Sequence, residues 1–194
     1  MTLQEVAHEP RVTREEAEDA VRTLLRYVGE DVTRDGLLDT PQRVARAWRE
    51  LTSGYDEEPA TILGRTFAEE CDELVVLRGI AFYSTCEHHL LPFYGEATVG
   101  YLPGRVVGIS KLARLVSCFA RRLQIQERFT SQVADAIEEH LEARGVGVVL
   151  EAHHLCMGCR GVRQPETAML TSAMRGVLRT DAIARSEFLR LGEK

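Results

Sequence analysis

The chain has 194 residues, a net charge of −6 and a hydrophobic share of 44%. That length and apolar content suit one globular body with an appended segment, and the acidic balance excludes a general nucleic-acid footprint. No apolar run approaches the roughly 20 residues that span a bilayer, and the polar, acidic start is not a secretory signal, so a cytoplasmic location is expected.

Residues 1–12 read as a disordered tail. Over 13–29, Ala17, Val21, Leu24, Leu25 and Val28 recur at helical spacing, and Thr13 with Glu16 forms a capping box at the start. Thr40-Pro41 opens a second helix, with Thr40 at the N-cap and Pro41 in the first turn, running through Val44, Ala47, Trp48 and Leu51 to Gly54. Residues 55–72 read as an irregular loop, which makes 13–72 a helical arm. From 73 onward the pattern changes to a body. LVVLRGIAFYS (74–84) and YGEATVGYL (94–102) read as a hairpin pair of strands flanking CEHHLLPF. Ser110 is expected to cap a helix, KLARLVSCFARRL, and a second helix is expected over about 126–143. GVGVVLEAHHLCM (145–157) and AMLTSAMRGVL (168–178) read as strands, and Thr180 or Asp181 caps a final helix ending near Leu191. The order strand, strand, helix, helix, strand, strand predicts an α+β body, 73–194, with an antiparallel sheet backed by helices.

The five cysteines, Cys71, Cys86, Cys118, Cys156 and Cys159, are an odd number in a chain without an export signal. That argues for metal or catalysis over a disulfide framework. Two clusters stand out, Cys86-Glu87-His88-His89 and His153-His154-Leu155-Cys156-Met157-Gly158-Cys159. Thiolate and imidazole are the donors zinc prefers. More candidates compete than a tetrahedral shell has positions. Adjacent histidines on an extended chain point to opposite faces, so one ring can bind metal while its neighbour moves protons. Spacing alone leaves Cys159 open as a ligand. Cys118 is expected in the core, and His8 and His140 face solvent.

Of the basic residues only Lys111 and Lys194 are lysines, so Lys111 is the one internal ammonium in an arginine-rich chain. It sits in Ser110-Lys111-Leu112-Ala113-Arg114, at a helix start where unpaired N–H groups favour phosphate. Arg43 and Arg46 repeat the one-turn spacing on the second helix, and Arg160 follows the second cysteine cluster. Gln126-Glu127 opens the long helix, and a carboxylate there can accept both hydrogen bonds of an amidine-like edge such as guanine N1–H and its 2-amino group.

Taken together, these strings resemble the GTP cyclohydrolase I family. The matching stretches are STCEHHLLPFYGEATVGYLP (84–103), GISKLARLV (108–116), RRLQIQERFTSQVADAI (121–137), GVGVVLEAHHLCMGCRGV (145–162) and DTPQRVARAW (39–48). The resemblance implies a T-fold, an antiparallel four-stranded sheet with two helices between its strand pairs, preceded by the helical arm. It implies Zn2+ held by Cys86, His89 and Cys156, with Cys159 a bystander. Gln126 and Glu127 match the guanine-recognising pair, and Arg43, Arg46, Ser110, Lys111, Arg114 and Arg160 the residues that hold triphosphate and ribose. His88 and His154 match the catalytic histidines, to which Ser110 is added. The implied reaction is hydrolysis of GTP at C8, release of formate and rearrangement to 7,8-dihydroneopterin triphosphate, the first step of tetrahydrofolate and pterin biosynthesis. The implied assembly is a homodecamer with interfacial active sites. The rival readings are a T-fold relative that reduces a nitrile on a deazapurine, which needs neither zinc nor a triphosphate cluster, and a zinc module for nucleic acid, which the acidic charge disfavours.

Overall fold

The computed structural model describes residues 12–193, so the expected tail, Val12 apart, lies outside the described residues, as does His8. The chain divides into two compact units, one ending at Glu50 and the other beginning at Leu51.

The first unit holds α1 (Arg14–Tyr27), a single 3-10 turn at 35–37, and α2 (Thr40–Leu51). The Thr13–Glu16 capping box forms as expected, the Thr13 hydroxyl accepting from the Glu16 N–H while the Glu16 carboxylate accepts from Thr13 N–H at 2.6 Å. No residue of α1 is buried, and Leu24, Tyr27 and Val28 are 65%, 86% and 69% exposed.

In the second unit the stretch expected as a loop is partly ordered. A 3-10 turn at 53–56 leads into α3 (Pro59–Leu63) and a two-residue strand, β1 (Thr66–Phe67). Leu63 is fully buried among residues of the body, which ties the segment down. The main strands are β2 (Val75–Cys86), β3 (Pro92–Leu102), then β4 (Val106–Val107), which pairs with β1. Next come α4 (Ile109–Ala120), β5 (Leu123–Gln124) and α5 (Gln126–Leu141). The chain ends with β6 (Gly145–His154), α6 (Leu155–Gly158), β7 (Ala168–Gly176), α7 (Val177–Thr180) and α8 (Ala182–Gly192). Asp181 caps α8, accepting from the Ile183 and Ala184 N–H groups.

The expected antiparallel order of the long strands, β2-β3-β6-β7, is present with α4 and α5 between the strand pairs. The sheet has a fifth member that the sequence reading missed: β5 adds to β2 in parallel, pairing Thr85 with Leu123 and Cys86 with Gln124. Two residues are too short to show alternation, so no periodicity announces them. The 145–157 segment also stops being a strand at His154, and Cys156 lies on the single turn α6. Ser110 is inside α4, whose N-cap is Gly108 with no side-chain cap, so Ser110 is not the capping residue.

Strand alternation sends Val146, Val148, Leu150 and Ala152 of β6 to the α4–α5 side, where they join Leu115, Phe129, Val133 and Ile137. Gly147 lies on the other side, and Phe188 of α8 packs there with Met174 and Leu178. Gly100 and Gly147 are register partners on β3 and β6. A Cβ added at either would come within 2.6 Å of the Phe188 ring, so the two glycines form its seat.

One irregularity matters for the site. Between Leu77 and Ile80 the β2–β3 register slips by one residue, around Gly79 with φ of +71°. Before the bulge Val75 and Leu77 face the helices; after it, Ile80, Phe82, Ser84 and Cys86 do. The bulge therefore places Cys86 on the buried face.

Replacing Phe188 by Ala is expected to cost about 3–5 kcal/mol, and Gly147→Ala about 1–3 kcal/mol through overpacking. Urea unfolding monitored by circular dichroism measures both.

Candidate active site

Cys86 and Cys156 are 70 positions apart in sequence, yet the sheet register brings them together. Thr85, one residue before Cys86, pairs with Pro92, and Phe93 pairs with His154. The β2–β3 turn and the exit of β6 therefore share one end of the sheet, and α6 carries Cys156 two residues beyond His154.

The turn itself is closed by backbone bonds. Cys86 N–H donates to Leu91 C=O at 2.9 Å, and Leu90 N–H to Cys86 C=O at 2.8 Å. Leu90 takes a left-handed conformation, φ +55°. Glu87 N–H donates to Gln124 C=O at 3.0 Å, continuing the parallel pairing with β5. The outcome is a group of three donor atoms, from Cys86, His89 and Cys156, all within 4.8 Å of one another. It is the one such group of three or more metal-ligating side chains among the described residues. Cys159 lies outside it, exposed after α6. Cys118 is buried, as expected.

The donors fit a zinc ion. Zn–S of about 2.3 Å and Zn–N of about 2.0–2.1 Å put tetrahedral donors roughly 3.5–3.8 Å apart, a small closure from the observed spacing. Three side chains leave a fourth position open, as in catalytic sites. Burial and the neighbouring Cys86 push the Cys156 thiol up, while the Arg160 charge pulls it down; a dication at the donors would deprotonate both thiols. The Ser84 hydroxyl, two residues before Cys86 on the same face of β2, is buried and has no partner among the described residues.

Arg128 braces the cluster. It donates through both terminal nitrogens to the Glu87 carboxylate and also to Leu123 C=O at 3.0 Å and Gln124 Oε1 at 3.2 Å. Those bonds hold the Glu87 carboxyl below the usual carboxylate range. Sequence reasoning did not single out either residue; the ion pair links positions 41 apart, which no local pattern signals.

His88 and His154 sit differently. His88 is exposed, its side chain 64% accessible, with Nε2 3.9 Å from Glu87 Oε1. His154 is half-buried, stacked flat on Phe93 with ring centroids 4.6 Å apart. Its Nε2 lies 2.8 Å from Gln126 Oε1. Burial pushes His154 below the usual histidine range, and the nearby Glu127 charge counters part of that.

Gln126 departs from expectation. Its side chain, read as half of a guanine-recognising pair, is 1% exposed. Its Nε2 donates to Leu150 C=O at 3.1 Å, Met169 C=O at 2.9 Å and Thr171 Oγ1 at 3.1 Å. The amide is thus spent inside the chain. Glu127, by contrast, is exposed in the first turn of α5.

Arg160 is exposed just after α6. Ser110, Lys111 and Arg114 occupy the first two turns of α4; among the described residues no hydrogen bond or ion pair joins them to the metal-ligating group. Arg43 and Arg46 lie on α2 in the N-terminal unit, both exposed, and Arg43 pairs with Asp39 at 3.0 Å. His140, expected to face solvent, is half-buried in the last turn of α5. No helix among the described residues is long and apolar enough to cross a membrane.

The chain is 57% identical over 178 residues to GTP cyclohydrolase 1 of Mycobacteroides abscessus, covering 90% of this chain and 87% of that one. It is 53% identical over 174 residues to GTP cyclohydrolase 1 of Wolinella succinogenes, covering 89% and 93%. Among solved structures, an archaeosine synthase QueF-Like in the apo form aligns at 17% identity and a TM-score of 0.46, over 56% of this chain and 97% of that one. A dihydroneopterin aldolase from Burkholderia thailendensis bound to guanine aligns at 16% identity and a TM-score of 0.38, over 53% and 89%. The family model described as GTP cyclohydrolase I matches residues 17–193, and with those identities the chain belongs to the GTP cyclohydrolase I family.

Proposed function

We propose that this GTP cyclohydrolase works with a zinc ion held by Cys86, His89 and Cys156. In this reading GTP is hydrolysed at C8, formate is released, and the ribose rearranges to give 7,8-dihydroneopterin triphosphate, the first step of tetrahydrofolate and pterin biosynthesis. The observation that carries the reading is the convergence of two thiols and an imidazole beside the clamped His154. The same convergence disfavours the nitrile-reductase alternative, which has no use for an open metal shell.

A zinc ion at these donors would supply Lewis acidity, lowering the pKa of a water from 15.7 towards ~7. The chain's own residues do the rest. Glu127 accepts guanine N1–H and the 2-amino group, which fixes the purine. Lys111, Arg114 and Arg160 neutralise the triphosphate, and Ser110 hydrogen-bonds the ribose end. His154 delivers a proton to guanine N7, which neutralises the charge that addition at C8 places on that nitrogen. His88, with its ring exposed, serves the ribose during the later rearrangement. Atoms balance: one water opens the imidazole ring at C8, a second releases that carbon as formate, and one water leaves when the pyrazine ring closes.

We also assign the chain to a homo-oligomer, a decamer in the family pattern. The exposed Leu24 and Tyr27 of α1 and Val28 at its C-cap support this, since a small unit rarely leaves so much apolar surface to water. A cytoplasmic setting agrees with reduced thiols at the site.

Formate release and dihydropterin absorbance, assayed on GTP with and without a chelator, test the reading directly. Cys86→Ser and Cys156→Ser are each expected to lose both the zinc, by elemental analysis, and formate release. Persistent turnover in a metal-free Cys156→Ser protein would refute the role of the metal. His154→Ala is expected to keep stoichiometric zinc while formate release falls about 10²-fold or more; loss of zinc in that variant would make it a ligand instead. Light scattering is expected to give a mass near ten times the 21.8 kDa chain, and a monomer would end the oligomer assignment.

A further inference from the structure

The hydrogen bonds around Gln126 have only one consistent direction. Leu150 C=O and Met169 C=O can only accept, and both lie on Gln126 Nε2. That end of the amide is therefore the NH2, and its oxygen is the end facing His154. An amide oxygen can only accept, so the ring nitrogen 2.8 Å away must carry a hydrogen. The threonines agree. Thr130 donates its hydroxyl to Gln126 C=O at 2.6 Å, which commits Thr171, 2.6 Å from it, to donate to Thr130. Thr171 Oγ1 is then free to accept from Gln126 Nε2 at 3.1 Å. The two N–H groups of the amide meet three acceptors, so one of those bonds is shared; no donor faces a donor, and the polarity of the bond to His154 is set by two backbone carbonyls on β6 and β7.

We infer that Gln126 is a positioning residue that locks His154 as the Nε2–H tautomer and leaves Nδ1 as the ring's open nitrogen. Phe93 stacks flat on the same ring and restrains its tilt, so tautomer and orientation are fixed together. Among the described residues no hydrogen bond reaches Nδ1. This inference deepens the reading of His154 as a proton carrier and, for its kinetic part, rests on it. In the neutral ring Nδ1 has a lone pair and no proton, so His154 enters the cycle as an acceptor. It takes a proton from the water that attacks C8, as the C8–O bond forms and the water O–H bond breaks. The cation then returns that Nδ1–H to N7. Gln126 Oε1 accepts from Nε2–H throughout, in both charge states, so the circuit never reverses.

Labelling the holoenzyme with 15N-histidine tests the assignment. The His154 resonances are identified by their loss in His154→Ala, and the spectrum is read where the ring is neutral. The inference expects a protonated, pyrrole-type Nε2 and an unprotonated, pyridine-type Nδ1. A protonated Nδ1, or averaged shifts for the two nitrogens, overturns it. Gln126→Met, close in volume but unable to accept the bond, is expected to give mixed tautomers. Its kcat should fall about 10²-fold while KM for GTP stays within about twofold, since no substrate contact is removed. Thr171→Val serves as the control and should keep the Nε2–H signature, because Leu150 and Met169 still orient the amide. A rise in KM with kcat intact in Gln126→Met would return Gln126 to guanine recognition and overturn the inference. Should Gln126→Met fail to fold, the spectrum of the unaltered protein decides alone. Should His154→Ala leave formate release untouched, the proton-carrier reading falls while the tautomer result stands.

Discussion

The first turn of α5 grips both chain segments that carry the site. Gln126 reaches His154 at the end of β6, and Arg128, two residues on, reaches Glu87 in the turn after β2. Neither bond is local, spanning 28 and 41 positions, so the catalytic end of the sheet exists only once the helix has docked. The docking is in turn prepared by β5, whose two residues pair beside Thr85 and Cys86 and aim the chain into α5. Breaking the grip at Gln126 is costly because that side chain is buried, whereas Arg128 and Glu87 are partly exposed. Each polar group left unpaired costs about 1–3 kcal/mol, and Gln126 alone serves four of them.

The sheet divides labour between its two ends. Away from the site, helices cover both faces: α4 and α5 on one side, and Phe188 of α8 in its glycine seat on the other. Packing of that kind makes a stiff platform. At the site end the strands run out into a five-residue turn and a single helical turn, where backbone groups are free to direct side chains outward. His88, His89 and Arg160 are exposed there, while Cys86 and Gln126 stay buried. A reactive surface is thus held from beneath by groups that solvent does not reach.

Much of this was readable from the chain itself. The long helices and four long strands carry clean periods, and the Cys-Glu-His-His and His-x-Cys strings offer metal-ligating groups by chemistry, the choice among them resting on the resemblance. Three features stayed hidden, each for a physical reason. The β5 strand is shorter than one alternation. Cys156 was read as strand because apolar spacing continues through Leu155, although the chain coils after His154. Gln126 was given to substrate by the resemblance alone, as the partner of Glu127, and nothing local in the sequence points to its partners within the chain. Its actual partners come from β6 and β7, 24 to 45 positions away, and only the assembled sheet supplies them.

The bulge at Gly79 carries a consequence for how this strand can vary. Facing on a strand is a matter of odd and even, and the extra residue resets the count between the structural half of β2 and its chemical half. Removal of one residue there would absorb the bulge and restore plain alternation, leaving the Cys86 thiol in its layer; removal of two would turn it out. Length changes in this segment are tolerable only where they keep the two halves of the strand in phase, so the arithmetic of the backbone, more than the identity of any residue near 79, guards the placing of the Cys86 thiol.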